Sequence, residues 1–410
     1  MLPIGPRRRL LLTVPVTALL AVLAPPVASE ATKPVGPHLP TRVNAPGPWS
    51  DDETVDGPIA AVGIAMRREP RGLTDDLERL ALFAVSATDG HSYWLPASDA
   101  SLDDLALSPD GRYVAWARTT PAPSGSAEGL FGDDPDQGED PMTDDEDVPP
   151  AADGFSLLDT RSGLDRQLAV PAGERYDLAM TGLAFSGDSR HLLASNGETT
   201  GAGGALTTDA AWDVATGRYV RLERPGKRSG VVYGSSPEGV VLIRGRDVVR
   251  REGVTGAGTT TRFATDVVDA SWAPEGSGFA YIAAPRKGGD SVLHVGRDVA
   301  AARTTTVALA DGPPGRIVGW RDADHVVVDH FRRDLDVVDV RDGSVRTIDL
   351  AGGGKQLNTP IYAADLWQAP LVDPPEREGL RDPRVIWRWA AMAGAVVLGV
   401  VVLRRIRVRP

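Results

Sequence analysis

The chain has 410 residues, 42% hydrophobic and 24% charged, with 45 glycines, 33 prolines and no cysteine. The missing cysteines exclude a disulfide framework, a thiolate zinc site and a cysteine nucleophile. All 56 acidic residues but only 36 of the 44 basic ones lie between residues 30 and 384, so that span carries a net −20 and would repel phosphate backbones, which excludes nucleic acid as a partner. Only four of the bases are lysines (Lys33, Lys227, Lys287, Lys355), a usage that points to a GC-rich, actinobacterial genome.

Residues 1–29 combine Arg7-Arg8-Arg9, an apolar run from Leu10 to Ala24 and a small-residue exit, the layout of a signal peptide with cleavage after Ala28 or Ser29. The run contains Pro15 and is short for a membrane span. Residues 30–56, with five prolines, read as a flexible leader.

From 57 to 369 the hydrophobic period is two. One hairpin keeps returning: LALSPDGRYVAWA (105–117), LAFSGDSRHLLAS (183–195), VVYGSSPEGVVLI (231–243), ASWAPEGSGFAYI (270–282) and IVGWRDADHVVVD (317–329). A second kind alternates with it at 83–95, 155–170, 210–222, 292–309 and 335–350, mostly around D-x-x-x-G or D-G turns. Two hairpins per unit give four strands, the blade of a β-propeller. Five inner turns plus strands from 59–95 predict six blades, with seven the alternative count and a β-sandwich the alternative architecture. One blade is expected to draw strands from both ends of the domain, closing the ring.

The SPDGRYVAWA segment resembles the WD40-like repeat of TolB-like periplasmic proteins and of the propeller domains of prolyl-oligopeptidase-type peptidases. The match is best at 105–117, fair at 183–195 and 270–282, and poor at 317–329, where RDAD replaces SPDG. The resemblance implies a propeller and says little about function.

The stretch 121–153 reads as a disordered acidic insertion; eleven acids and no base fall within 128–153. Asp133, Asp134, Asp136, Glu139 and Asp140 are close-set oxygen donors, but the EF-hand order is not met, leaving weak calcium binding or a basic partner as alternatives. Residues 370–384, with four prolines, read as a stalk, and 385–403 as a transmembrane helix of 19 residues, about 28 Å long. Trp387 and Trp389 suit the aromatic belt, and the arginine-rich tail 404–410 is expected in the cytoplasm, with the propeller outside the cell membrane.

No G-x-S-x-G elbow occurs, and Gly187-Asp188-Ser189 aligns with Pro-Asp-Gly of the repeat and reads as a turn. The glycine strings 201–206 and 253–261 read as loop or hairpin glycines. The histidines (His38, His91, His191, His294, His325, His330) are scattered; His325 and His330, near Asp322, Asp324 and Asp329, would face opposite sides of one strand. The sequence therefore assigns no catalytic, cofactor-binding or metal residue and no cofactor. It predicts a single-pass, non-catalytic extracytoplasmic binding or scaffold module for a protein, peptide or envelope glycan, with a channel-centred hydrolase or lyase as the alternative.

Overall fold

A computed structural model describes residues 36–47, 55, 57–71, 75–96, 105–119, 151–171, 176–177, 182–195, 209–222, 232–284, 289–309, 312–329, 334–349, 360–374 and 384–407. Among them are six antiparallel sheets of four strands each, arranged as a six-bladed propeller, and one long C-terminal helix.

Blade 1 runs from the inside out as Ile361–Tyr362, Ile59–Arg71, Asp75–Ser86 and Ser92–Trp94. Blade 2 is Leu105–Leu107, Tyr113–Thr119, Ala151–Asp159 and Leu164–Ala169, with Tyr176–Asp177 added on Ala151–Ala152. Blade 3 is Gly182–Phe185, His191–Ser195, Asp209–Asp213 and Tyr219–Leu222; blade 4 is Val232–Gly234, Gly239–Arg244, Asp247–Glu252 and Gly258–Arg262. Blade 5 is Val267–Trp272, Phe279–Ala283, Val292–Gly296 and Thr306–Val307, and blade 6 is Arg316–Trp320, His325–Asp329, Asp334–Asp339 and Val345–Asp349. Blade 1 takes its inner strand from the C-terminal side, through Ala61 opposite Tyr362 and Val62 opposite Ile361, so strands from both ends close the ring.

Burial follows radial position. Second strands, covered on both faces by neighbouring blades, are continuous apolar runs: Val114–Ala117, Leu192–Ala194, Val240–Ile243, Phe279–Ala283 and Val326–Val328 are all buried. Outer strands meet water, and Gly258–Arg262 carries threonines with no fully buried residue. Phe155 of blade 2 packs edge-on to Trp212 of blade 3 at 4.9 Å between ring centroids.

Because the strands alternate direction, the turns between strands one and two and between strands three and four share one face, the turn face. The connections between strands two and three and between blades share the other, the loop face. In blade 1 the second and third strands pair from Ile59–Ser86 to Arg71–Asp75, whereas their blade neighbours reach only Ala61–Val62 and Phe83–Val85. The far half of this hairpin projects from the loop face as a two-stranded ribbon.

Four segments depart from the sequence reading. The expected flexible leader is docked over residues 36–47: His38, Leu39, Val43 and Ala45 are buried, the Ser92 hydroxyl donates to the Asn44 carbonyl at 2.6 Å, and the Trp94 indole donates to the Gly47 carbonyl at 3.1 Å. Its prolines hide apolar side chains without β or helical periodicity. The expected stalk starts structured, since Leu371–Val372 pairs in parallel with Leu39–Pro40. The acidic insertion ends earlier than expected, with Ala151 already in a strand; residues 121–150 lie outside the described set, as do 1–35. The C-terminal helix spans Arg384–Arg407, beyond the expected 385–403 at both ends. Arginine is a good helix former and suits the negative end of the helix dipole.

Candidate functional site

The serines of the repeated turns are consumed by the turns. The Ser108 hydroxyl donates to Asp110 at 2.6 Å and accepts from the Tyr113 amide at 2.8 Å, while Asp110 accepts from the Arg112 amide at 3.0 Å. Ser186, Asp188, Arg190 and His191 repeat this pattern in blade 3. Ser189 stands where Gly111 stands in blade 2, with φ of 58° against 72°, so Gly187-Asp188-Ser189 is a turn.

A second repeat emerges at the outer turns. Asp159, Asp213 and Asp339 each end a third strand, directly opposite Tyr113, His191 and His325 at the start of the second. Each carboxylate accepts amides of its own turn: Arg161 on Asp159, Ala215 and Thr216 on Asp213, Arg341 on Asp339. In blade 2, Arg112 also grips Asp159 with two bonds of 3.1 and 2.7 Å and holds its carboxyl below the usual range.

Blade 6 departs from this pattern and opens a groove of roughly 430 Å³, lined by Arg321, Asp322, His325, Val337, Asp339 and Arg346 among others. The His325 ring sits between two carboxylates: Nδ1 is 2.8 Å from Asp322 Oδ1 and Nε2 is 3.6 Å from Asp339 Oδ2. Arg341 donates to both oxygens of Asp339 and holds its carboxyl down at about 2. Burial pushes Asp322 up, but the Asp324 amide and the His325 ring more than offset it, leaving Asp322 below the ordinary range. Both are therefore anions at neutral pH, interleaved with arginine and imidazole. The two ring nitrogens point at different carboxylates, so the trio does not converge on one point. Among the described residues, no group of three or more His, Asp or Glu side chains is placed to hold a metal ion.

Blades 5, 6 and 1 meet in a second polar cluster at the loop-face end of the central channel. The Ile317 amide donates to Asp269 at 2.6 Å; Arg316 donates to Asp329 at 3.2 Å and to the Pro360 carbonyl at 2.5 Å. Burial raises Asp269 to about 6, against the pull of the Ile317 and Ala270 amides and of Arg316. Burial likewise pushes the Tyr362 hydroxyl up, helped by the charge of Asp329. Around this cluster the inner strands carry partly exposed apolar side chains, Leu183, Val232, Val268 and Ile317.

The structure joins His325 to Asp322 and, unforeseen, to Asp339; Asp329, near it in sequence, is buried at the opposite end of the strand with Arg316. The signal for Asp339 was its alignment with Asp159 and Asp213. His294 stacks on Tyr281 at 4.4 Å, and burial lowers both it and His191. His330, the five proposed calcium donors and the glycine string 201–206 lie outside the described residues; the glycines of 253–261 form a hairpin turn and its outer strand.

The C-terminal helix has a stretch, Trp387–Arg405, of mean hydropathy 1.5 with none of it buried against the propeller. It is the one described helix long and apolar enough to cross a membrane.

No protein-family model matches the sequence, and no curated protein matches it. Among solved structures, TolB from Acinetobacter baumannii is similar at 15% identity and a TM-score of 0.43, covering 74% of this chain and 67% of that one. A chain of the mitotic checkpoint complex is similar at 12% identity and 0.39, covering 60% and 66%. The chain thus spans about two thirds of the length of each. Likeness at this level carries no argument about activity or partners, and the propeller rests on the strand order of the chain itself.

Proposed function

We propose that the protein is a non-catalytic binding or scaffold module, held at the cell membrane by its C-terminal helix and displayed outside the cytoplasm. Its ligand in this reading is a protein, peptide or envelope glycan, and the blade 6 groove is the contact site. The observation that carries the reading is the groove's composition. An open cleft alternating Asp322 and Asp339 with Arg321, Arg346 and His325 offers donors and acceptors of both signs to a polar partner. The solvent-accessible apolar helix supports the anchor, and the basic residues after Leu403 support a cytoplasmic C-terminus.

The test is site-specific photocrosslinking on intact cells. A crosslinker at Val345, in the groove, is expected to capture a partner that one at Leu164, an exposed position on blade 2, does not. Arg346→Glu should abolish the product. Equal capture from both positions, or indifference to the charge reversal, defeats the groove.

The second reading, a channel-centred hydrolase or lyase, is favoured by one observation. Asp269, raised to about 6 beside Arg316, has the basicity of a general base. Turnover of any envelope glycan or peptide that disappears in Asp269→Asn would replace the binding reading with this one.

A further inference from the structure

We infer that the far end of the blade 1 ribbon, at Asp76 and Leu77, rests in the lipid headgroup layer, clamped to the root of the membrane helix. The propeller then stands loop face to the bilayer and turn face outward. This rests on the membrane-anchored reading above and adds an orientation to it.

The inference starts from one contact. Arg384, the first residue of the C-terminal helix, is buried, and its Nη2 lies 2.6 Å from Oδ1 of Asp76. Asp76 is one residue inside the end of the ribbon, beside the terminal pair Arg71–Asp75. The apolar stretch begins at Trp387, three residues after Arg384, a rise of about 4.5 Å at 1.5 Å per residue. The headgroup region on each side of a bilayer is roughly 5–8 Å thick. A residue bonded to Arg384 is therefore held at headgroup depth wherever the helix enters the hydrocarbon. Trp387 and Trp389, both about two thirds exposed, mark the same level as an aromatic belt.

The chemistry of the ribbon end around Leu77 fits a lipid surface. Leu77, next to the clamp, is 38% exposed, an apolar side chain on a strand otherwise turned to water there. Residues 67–79 hold four arginines and four acids, and Arg68 pairs with Glu78 at 2.7 Å. With no net charge, this stretch has no electrostatic need of anionic lipid, in contrast to a polybasic membrane contact. The occupant is the zwitterionic headgroup layer, reached by geometry and by Leu77.

The chain contains no cysteine, so single-cysteine variants label uniquely. The full chain carrying Leu77→Cys, Ala215→Cys on the turn face, or Val396→Cys in the helix is labelled with bimane and reconstituted into phosphatidylcholine vesicles. Headgroup-nitroxide lipid is expected to quench the Leu77 site at least twofold more than the Ala215 site, and acyl-chain nitroxide to quench the Val396 site. Adding Asp76→Ala should bring quenching at the Leu77 site down to that at Ala215, while Asp76→Glu retains it. If Val396 is quenched but Leu77 behaves like Ala215, the orientation is overturned and the membrane anchor stands. If Val396 is not quenched, the anchor falls and the orientation with it. Quenching at Leu77 that needs added phosphatidylserine, or that survives Asp76→Ala, also overturns the proposed uncharged, clamped contact.

Discussion

The backbone amide of Asp110 donates to the Ser189 hydroxyl across 3.2 Å, joining the inner turn of blade 2 to that of blade 3. Ser189 is the one described non-glycine residue with positive φ, and it occupies the glycine position of the turn. The hydroxyl makes an inter-blade contact that glycine lacks, and the backbone conformation costs energy that glycine would save. Ser189→Ala removes the bond and keeps the conformation, so it should cost about 1 kcal/mol. Ser189→Gly loses the bond but relieves the backbone, and should stay within about 0.5 kcal/mol of the parent. Urea unfolding of the detergent-solubilised protein, followed by tryptophan fluorescence, reads both; equal losses would show that the backbone term is absent.

Gly187 and Gly253 separate two reasons for glycine. A Cβ at Gly187 would stand 1.6 Å from the Ser236 carbonyl oxygen in blade 4, where the Gly187 amide already bonds the Gly239 carbonyl at 2.9 Å. Gly253 has φ of 66° and open space around it. Gly187→Ala should therefore force adjacent turns apart and cost about 3 kcal/mol or more. Gly253→Ala should cost only about 1 kcal/mol, the conformational share. Thermal melts of the two variants side by side rank them, and a reversed order contradicts the contact.

Asp269 gives the protein a pH response. Its folded value, about 6, lies above its ordinary 3.8, so the folded state binds the proton more tightly than the unfolded chain. The associated stability is fully present below pH 3.8 and is lost as pH rises to 6, after which the loss is constant. Asp269→Asn keeps an acceptor for the Ile317 amide and removes the charge. It should raise the melting temperature by about 1–3 °C at pH 7.5 and leave it unchanged at pH 4. A gain at pH 4 equal to that at pH 7.5 would rule out ionisation as the cause.

The inner turns were legible because a Ser-x-Asp-Gly turn needs particular residues at fixed positions, and five blades carry a version of it. The outer hairpin of blade 4, Asp247–Glu252 with Gly258–Arg262, was less so, because its turn lacks the aspartate that caps the outer turns of blades 2, 3 and 6. The docked leader was missed for another reason. Leu39 and Val43 are separated by Pro40 and follow no strand or helix period, and they are buried through the tertiary core cluster that also holds Trp94, with Leu371 packed against it. The groove was half visible: His325 and Asp322 lie three residues apart, but Asp339 reaches them only through strand pairing.

The shared first blade has a consequence for how the molecule is made. Ile59–Arg71 is synthesised early, yet its edge at Ala61–Val62 stays unpaired until Ile361–Tyr362 emerges. A chain cut short at any point before Tyr362 keeps that edge open to proteases and to other strands. Closure of the ring thus checks that synthesis has passed blade 6: only a translation product that includes Ile361–Tyr362 acquires a sealed circumference, and shorter products remain marked by the gap they cannot fill.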